Sequence, residues 1–201
     1  MADWTDKGVQ RRVISYSGFR LDGLADLLAR ANGASVLDIG CNRGHVCFDL
    51  FTHGARVLHG CDNSEDTIRH ANELFADYRS AEAKFEVVDL AGGVKAVADA
   101  FPDRQYDMVL YLAVHHKLRR VMSADALRDL IAYLSRRCAR FFVWRGDREQ
   151  LPEIERALDR GFRRVHYSEI CEIMLPEFKE PVIQPAAIWS RSSAVDRPPT
   201  K

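Results

Sequence analysis

Apolar residues fall along this chain in two alternating rhythms. Short, almost wholly apolar runs stand at SVLDI (35–39), ARVLHGCD (55–62), KFEVVDL (84–90), YDMVLYLAV (106–114) and RFFVW (140–144), and read as buried strands. Two later runs, FRRVHY (162–167) and AAIWS (186–190), read as a closing pair. Between them apolar residues recur at helical spacing. Phe19, Leu21, Leu24, Leu27 and Leu28 mark a helix over 17–31, and HVCFDLFTH one over 45–53. Ser64 caps a helix over 64–78 that carries Ile68, Ala71, Leu74 and Phe75 on one face. A weaker helix is expected around Gly93–Phe101, one capped by Ser123 over 123–137, and one over 151–161 closed by Gly161.

Strands that alternate with helices predict an α/β fold: a single doubly wound, mostly parallel seven-stranded sheet with helices on both faces. The last two strands lack an obvious long helix between them, so the final one is expected to run antiparallel. Residues 1–33 are read as an N-terminal helical segment of the same domain, 34–190 as its main body and 191–201 as a disordered tail.

Composition changes this picture little. The 201 residues are 47% hydrophobic, enough for a full core, and the 29 acidic residues balance 29 basic ones. That balance disfavours a protein that coats nucleic acid electrostatically. Five scattered cysteines, Cys41, Cys47, Cys61, Cys138 and Cys171, form no C-x-x-C pair, so neither a disulfide framework nor a zinc site is expected, and no metal is assigned. With no signal peptide pattern and no run of membrane-spanning length, a cytoplasmic protein without membrane contact is the expectation.

The chemistry begins at VLDIGCNRGH (36–45), where a glycine-rich turn follows the first strand. In open α/β sheets, ligands bind beyond the carboxyl ends of the strands. Two phosphate-binding patterns fail on the residues themselves. Asn42 and His45 stand where a dinucleotide fingerprint needs glycine, and no Walker lysine is present. What remains is acid-x-Gly-x-x-x-Gly: Asp38, Gly40 and Gly44. An acid ends the second strand (Asp62) and another the third (Asp89), and the fourth opens Tyr-Asp before three apolar residues (Tyr106–Leu110).

These marks, in this order over roughly residues 34–145, resemble the class I S-adenosylmethionine (SAM)-dependent methyltransferases. The resemblance implies SAM as cofactor and S-adenosylhomocysteine (SAH) as its product. It implies that Asp38 holds the methionine end, beside the turn formed by Gly40, Cys41, Asn42 and Gly44. Asp62 would accept from both ribose hydroxyls and Asp89 from the adenine amino group, with Asn63 and Leu90 flanking the ring. Asn42 departs from the middle glycine of many relatives, a mild change because asparagine tolerates left-handed backbone. Residues after strand four, Tyr111 to Lys117, would line the space between the methyl group and its acceptor, with Tyr111 against the cofactor.

His115 and His116 stand in that stretch and are the candidate bases, because imidazole titrates near neutral pH. His115 is the nearer to the strand end. The alternative for either is a helix-start residue bonded to backbone. No N-P-P-Y motif follows strand four, which disfavours methylation of exocyclic base amines. Arg136, Arg137, Arg140, Arg145 and Arg148 surround strand five; Arg145 could face an anionic acceptor, and the others read as solvated surface. Trp144 reads as core more readily than as a stacking platform. The segment from Ser168 to Pro185, with three prolines, reads as an acceptor lid or a surface connection. The leading expectation is methyl transfer to oxygen or nitrogen of a small-molecule acceptor, a metabolite, sugar or natural-product intermediate. RNA is the second candidate acceptor, on the likeness of GCNRGH to a stretch of the bicoid-interacting RNA-end methyltransferases. A catalytically silent SAM-binding partner subunit is the third reading. Oligomeric state is left open.

Overall fold

The computed structural model describes residues 21, 23–102, 104–169, 172–173 and 182–191. In chain order, α1 (Ala25–Ala29) leads to β1 (Ser35–Ile39), α2 (His45–Thr52), β2 (Val57–Asp62), α3 (Glu65–Phe75) and β3 (Glu82–Val87). Then come α4 (Gly93–Ala100), β4 (Tyr106–Leu112), α5 (His115–Leu118), α6 (Ala124–Arg136), β5 (Cys138–Arg145) and α7 (Leu151–Ala157). The chain closes with β6 (Phe162–Ser168), β7 (Glu172–Ile173), β8 (Val182–Ile183) and β9 (Ala186–Arg191).

Seven strands form one sheet in the order β3-β2-β1-β4-β5-β9-β6. The first five are mutually parallel, and β9 runs antiparallel to both of its neighbours, β5 and β6. This is the mostly parallel, doubly wound arrangement that the alternation predicts, with the expected reversed last strand. Strand order turns around between β1 and β4, the place where open α/β sheets bind ligands beyond the carboxyl ends.

Side-chain alternation along the strands builds a core on each face. Val36, Leu58, Met108, Leu110 and Phe141 pack with Leu27 of α1, Phe48 of α2, and Ile68 and Phe75 of α3. Leu37, Ile39, Val109, Tyr111, Phe142 and Trp144 face the other way, against Val97 of α4, Leu130 and Leu134 of α6 and Ile154 of α7. Ser64 and Ser123 cap α3 and α6 as their sequence positions predict, accepting from the Thr67 and Ala126 amides.

Several boundaries differ from the sequence expectation. The helix opening at Leu151 ends at Ala157, not at Gly161, because Leu158 turns extended (φ −65°, ψ 146°) and buries its side chain. Strand four stops at Leu112, where Ala113 takes a left-handed φ of 55°, and the histidine pair opens the short helix α5. Within the stretch from Ser168 to Pro185, β7 pairs antiparallel with β8 in a small ribbon; its other residues beyond Glu169, apart from Gln184 and Pro185, lie outside the described residues. The helix expected over 17–31 is helical only over Ala25–Ala29 among the described residues, which begin at Leu21, and Cys171 falls outside them.

Arg191, expected in the tail, is instead the last residue of β9, and 192–201 lie outside the described residues. Its guanidinium donates to the carbonyls of Cys138 and Ser135, each at 2.7 Å.

One arginine read as solvated surface is structural. Arg137 is buried at the amino edge of the sheet and donates to the carbonyls of Phe101 (2.5 Å), Arg104 (2.9 Å) and Pro102 (3.3 Å) and to the Tyr133 hydroxyl (2.9 Å). A guanidinium supplies five donors in a fixed fork, which is why this junction takes arginine. Arg137→Ala strands three carbonyls and should cost about 2–4 kcal/mol. The expected fall in melting temperature, read by calorimetry, is roughly 5–15 °C, and Arg137→Lys should recover only part of it.

Candidate active site

The turn after β1 is drawn tightly against the end of β2. The amides of Gly40 and Cys41 both donate to the Cys61 carbonyl, at 2.8 and 2.9 Å, and Gly44 N–H closes the turn on Cys41 O at 3.0 Å. Three residues of the turn have positive φ: Gly40 (79°), Asn42 (51°) and Gly44 (74°). Asn42 thus occupies the left-handed conformation that its residue type tolerates. At Gly40 a Cβ would lie 2.4 Å from Val114 Cγ2, so glycine is required by space as well as by backbone.

A glycine that sequence reasoning passed over completes this approach. Gly60 lies inside β2, where a Cβ would stand 2.8 Å from Cys41 Cβ and 2.9 Å from its sulfur. Its signal was available, since glycine within a strand marks a close approach.

Asp62 fastens the two segments together. Its carboxylate accepts from the Asn42 amide at 3.0 Å and from the Ser64 amide at 3.3 Å, and it is half-buried at the tip of β2. Asp38 is buried on β1, with the Cys47 thiol 3.7 Å from its Oδ2. Asp89 is exposed just past β3 and accepts from the Ala91 amide at 2.9 Å, capping a single turn of 3₁₀ helix. Leu90 beside it is buried and Asn63 exposed. Asp38, Asp62 and Asp89 therefore stand at or near the carboxyl ends of the adjacent strands β1, β2 and β3.

The thiolate form of all three cysteines in this region is disfavoured by burial. Burial pushes Cys41, Cys47 and Cys61 upward, Cys61 to about 12, and the negative charge of Asp38 adds to the effect on each. Among the described residues no group of three His, Cys, Asp or Glu could hold a metal ion.

The stretch after β4 forms the other wall. Tyr111 is wholly buried, and burial raises its hydroxyl above the usual tyrosine range. His115 is enclosed beside it: Nδ1 lies 3.3 Å from the Tyr111 hydroxyl and Nε2 3.0 Å from Glu153 Oε2 on α7. His116 is half-buried. Past β5, Asp147, whose charge acts on His116, accepts from Gln150 Nε2 at 2.6 Å and from Gln184 Nε2 at 3.4 Å. Glu153, Asp147 and Gln184 were not legible as site residues, because only the fold brings α7 and the entry to β9 to the end of β4.

Trp144 is wholly buried, as core, and Arg145 is buried at the tip of β5. Arg148 is exposed and lies 3.5 Å from Glu169. Arg136 and the cleft lined by Arg156, Arg160, Arg163 and Arg164 lie toward the opposite, amino edge of the sheet.

Gly40→Ala combines steric overlap with a positive φ and should lower stability by roughly 2–4 kcal/mol. Adding Val114→Ala should restore only the steric share, a partial recovery that denaturant titration of the two variants would read.

Residues 36–137, half of the chain, match the model of the methyltransferase domain family. Among curated proteins, none matches the chain by sequence. Among solved structures, magnesium protoporphyrin IX methyltransferase from Synechocystis PCC 6803, crystallised with SAM, superposes with a TM-score of 0.60 at 21% identity, covering 92% of this chain and 80% of that one. The N-methyltransferase NodS from Bradyrhizobium japonicum WM9 gives 0.59 at 15% identity, over 91% of this chain and 96% of its own. A ribosomal protein L11 methylase from Lactobacillus delbrueckii subsp. bulgaricus gives 0.55 at 21% identity, over 82% and 74%. At these identities the likeness is one of fold. A porphyrin and a ribosomal protein are named as acceptors of two of them, so the fold does not select the acceptor.

Proposed function

The chain belongs to the methyltransferase domain family, and from that premise we propose that it moves a methyl group from SAM to oxygen or nitrogen of a small-molecule acceptor. The observation that carries the donor half is the Asp62 carboxylate held at the mouth of the glycine turn by the Asn42 and Ser64 amides. A carboxylate fixed there is ready to accept from the two ribose hydroxyls, while the turn offers main chain without side-chain bulk. Asp38 serves the methionine end, with Gly40, Cys41, Asn42 and Gly44 as the turn around it. Asp89 accepts from the adenine amino group, and Asn63 and Leu90 flank the ring. Tyr111 backs the methyl end from inside the core, and the pair His115–His116 supplies the base.

SAM brings a carbon already activated by its sulfonium. The protein's work is to hold donor and nucleophile in line, exclude competing water and accept a proton where the nucleophile carries one. The polar group at the acceptor side, His116 with Asp147, Gln150 and Gln184, is compact and suits a small polar molecule. Basic residues stand at both edges of the sheet: the exposed arginines around 156–164 lie at the amino edge, while the exposed Lys117, Arg119 and Arg120 follow the histidine pair. Among the described residues no helix is long and apolar enough to cross a membrane.

Asp62→Ala removes charge-assisted hydrogen bonds and should weaken SAM binding by about 100-fold; unchanged affinity would remove the ribose assignment. For the acceptor, radiolabelled SAM incubated with the protein and fractionated cell extract should place label in small, RNase-resistant material. Label in RNase-sensitive material would select RNA instead, and tight SAM binding with no transfer at all would select a silent subunit.

A further inference from the structure

We infer that His116, rather than His115, takes the proton from the methyl acceptor, and that His115 is a positioning residue braced between Tyr111 and Glu153. The inference rests on the methyltransferase reading above and deepens it at the acceptor side.

Neighbouring residues of a helix point about 100° apart, so two adjacent histidines cannot share one environment. Ala113, at φ 55°, bends the chain out of β4 while its amide stays tied to the Arg145 carbonyl at 2.8 Å. The short helix that follows then sends His115 inward, where its side chain is 1% exposed. Its ring meets Tyr111 edge-on, 5.9 Å between centroids. The Tyr111 hydroxyl, kept protonated by burial, donates to His115 Nδ1 across 3.3 Å. That fixes the tautomer: Nε2 carries the hydrogen and donates to Glu153 Oε2 at 3.0 Å. Glu153 is in turn faced by Arg119 at 3.6 Å. Both ring nitrogens of His115 are thus engaged within the fold, and neither is left to meet an acceptor. Its chemistry is that of a strut joining β4, α5 and α7.

His116 has the opposite character. It is half-buried, and its Nδ1 is enclosed without a hydrogen-bond partner among the described residues. A ring nitrogen left uncommitted within the fold is what a general base requires. Burial holds this imidazole below the ordinary histidine value, and Lys117, Arg120 and His115 act in the same sense, while Asp147 opposes them. The ring is therefore neutral at pH 7 and able to accept. The negative charge of Asp147, itself fixed by Gln150 and Gln184, then favours the imidazolium once the proton has arrived.

The step balances without another reactant. A lone pair of the acceptor oxygen or nitrogen forms the bond to the methyl carbon. The carbon–sulfur bond breaks, and its electron pair remains on sulfur as the neutral thioether of SAH. The acceptor's proton passes to His116, which returns it to water.

The charge difference between SAM and SAH provides a test that needs no acceptor. Histidine ring signals of the ¹⁵N-labelled full chain would be followed through pH titration free, with SAM and with SAH, and assigned by the loss of signal in His116→Asn and His115→Asn. Calorimetry on the same samples would confirm occupancy. If His116 stands beside the methyl position, the sulfonium should lower its pKa by roughly half to one pH unit, and SAH should move it far less. Equal shifts with both ligands while both bind, or a response centred on His115, would overturn the inference and leave the cofactor reading standing. Absence of binding by both would overturn the cofactor reading and this one with it.

Discussion

The contact on which the site depends is main chain against main chain. Two successive amides, Gly40 and Cys41, converge on one carbonyl, Cys61, and the acid immediately after that carbonyl returns a bond to Asn42. This reciprocal tie needs β1 and β2 to approach without side chains between them, which Gly40 and Gly60 allow from the two sides. Each bond contributes only about 1 kcal/mol net. Their joint effect is geometric: they fix the acid at the tip of β2 relative to the turn after β1, before any ligand arrives. A ligand taken up beside the turn would meet main chain already ordered.

The same sheet holds both the turn after β1 and the segment after β4. β1 lies between β2 and β4, with Ile39 paired to Cys61 on one flank and Tyr111 on the other. Val114, just past β4, fills the space above Gly40. Any displacement of the turn is therefore felt at the segment that carries the histidines. The turn and that segment are packed together above the two strands at which the sheet order reverses.

Most of the fold was legible in the sequence because its signals are local and repeat. Continuous apolar strands, two serine caps and helical spacing name the elements, and alternation names the parallel sheet. The reversed β9 was foreseeable from the missing crossover helix. The three acids and the glycine turn were legible for a related reason, since each stands at a fixed place relative to a strand end. What escaped depends on contacts distant in sequence. Arg137 is indistinguishable in sequence from its solvated neighbour Arg136, and only the junction with Phe101–Arg104 makes it structural. His115 and His116 are the same residue type in adjacent positions, and nothing before the fold says which one α7 will cover with Glu153. Gly60 could have been found, from the rarity of glycine within a buried strand.

The central claim is that the prearranged turn and the acids beyond it form a site for an adenosyl sulfonium donor and its thioether product. Titration calorimetry of the intact chain with SAH tests it most directly. The account predicts saturable heat with one site per chain, and competition by SAM for that site. No heat with SAH, under conditions where the chain is folded by circular dichroism, would contradict it.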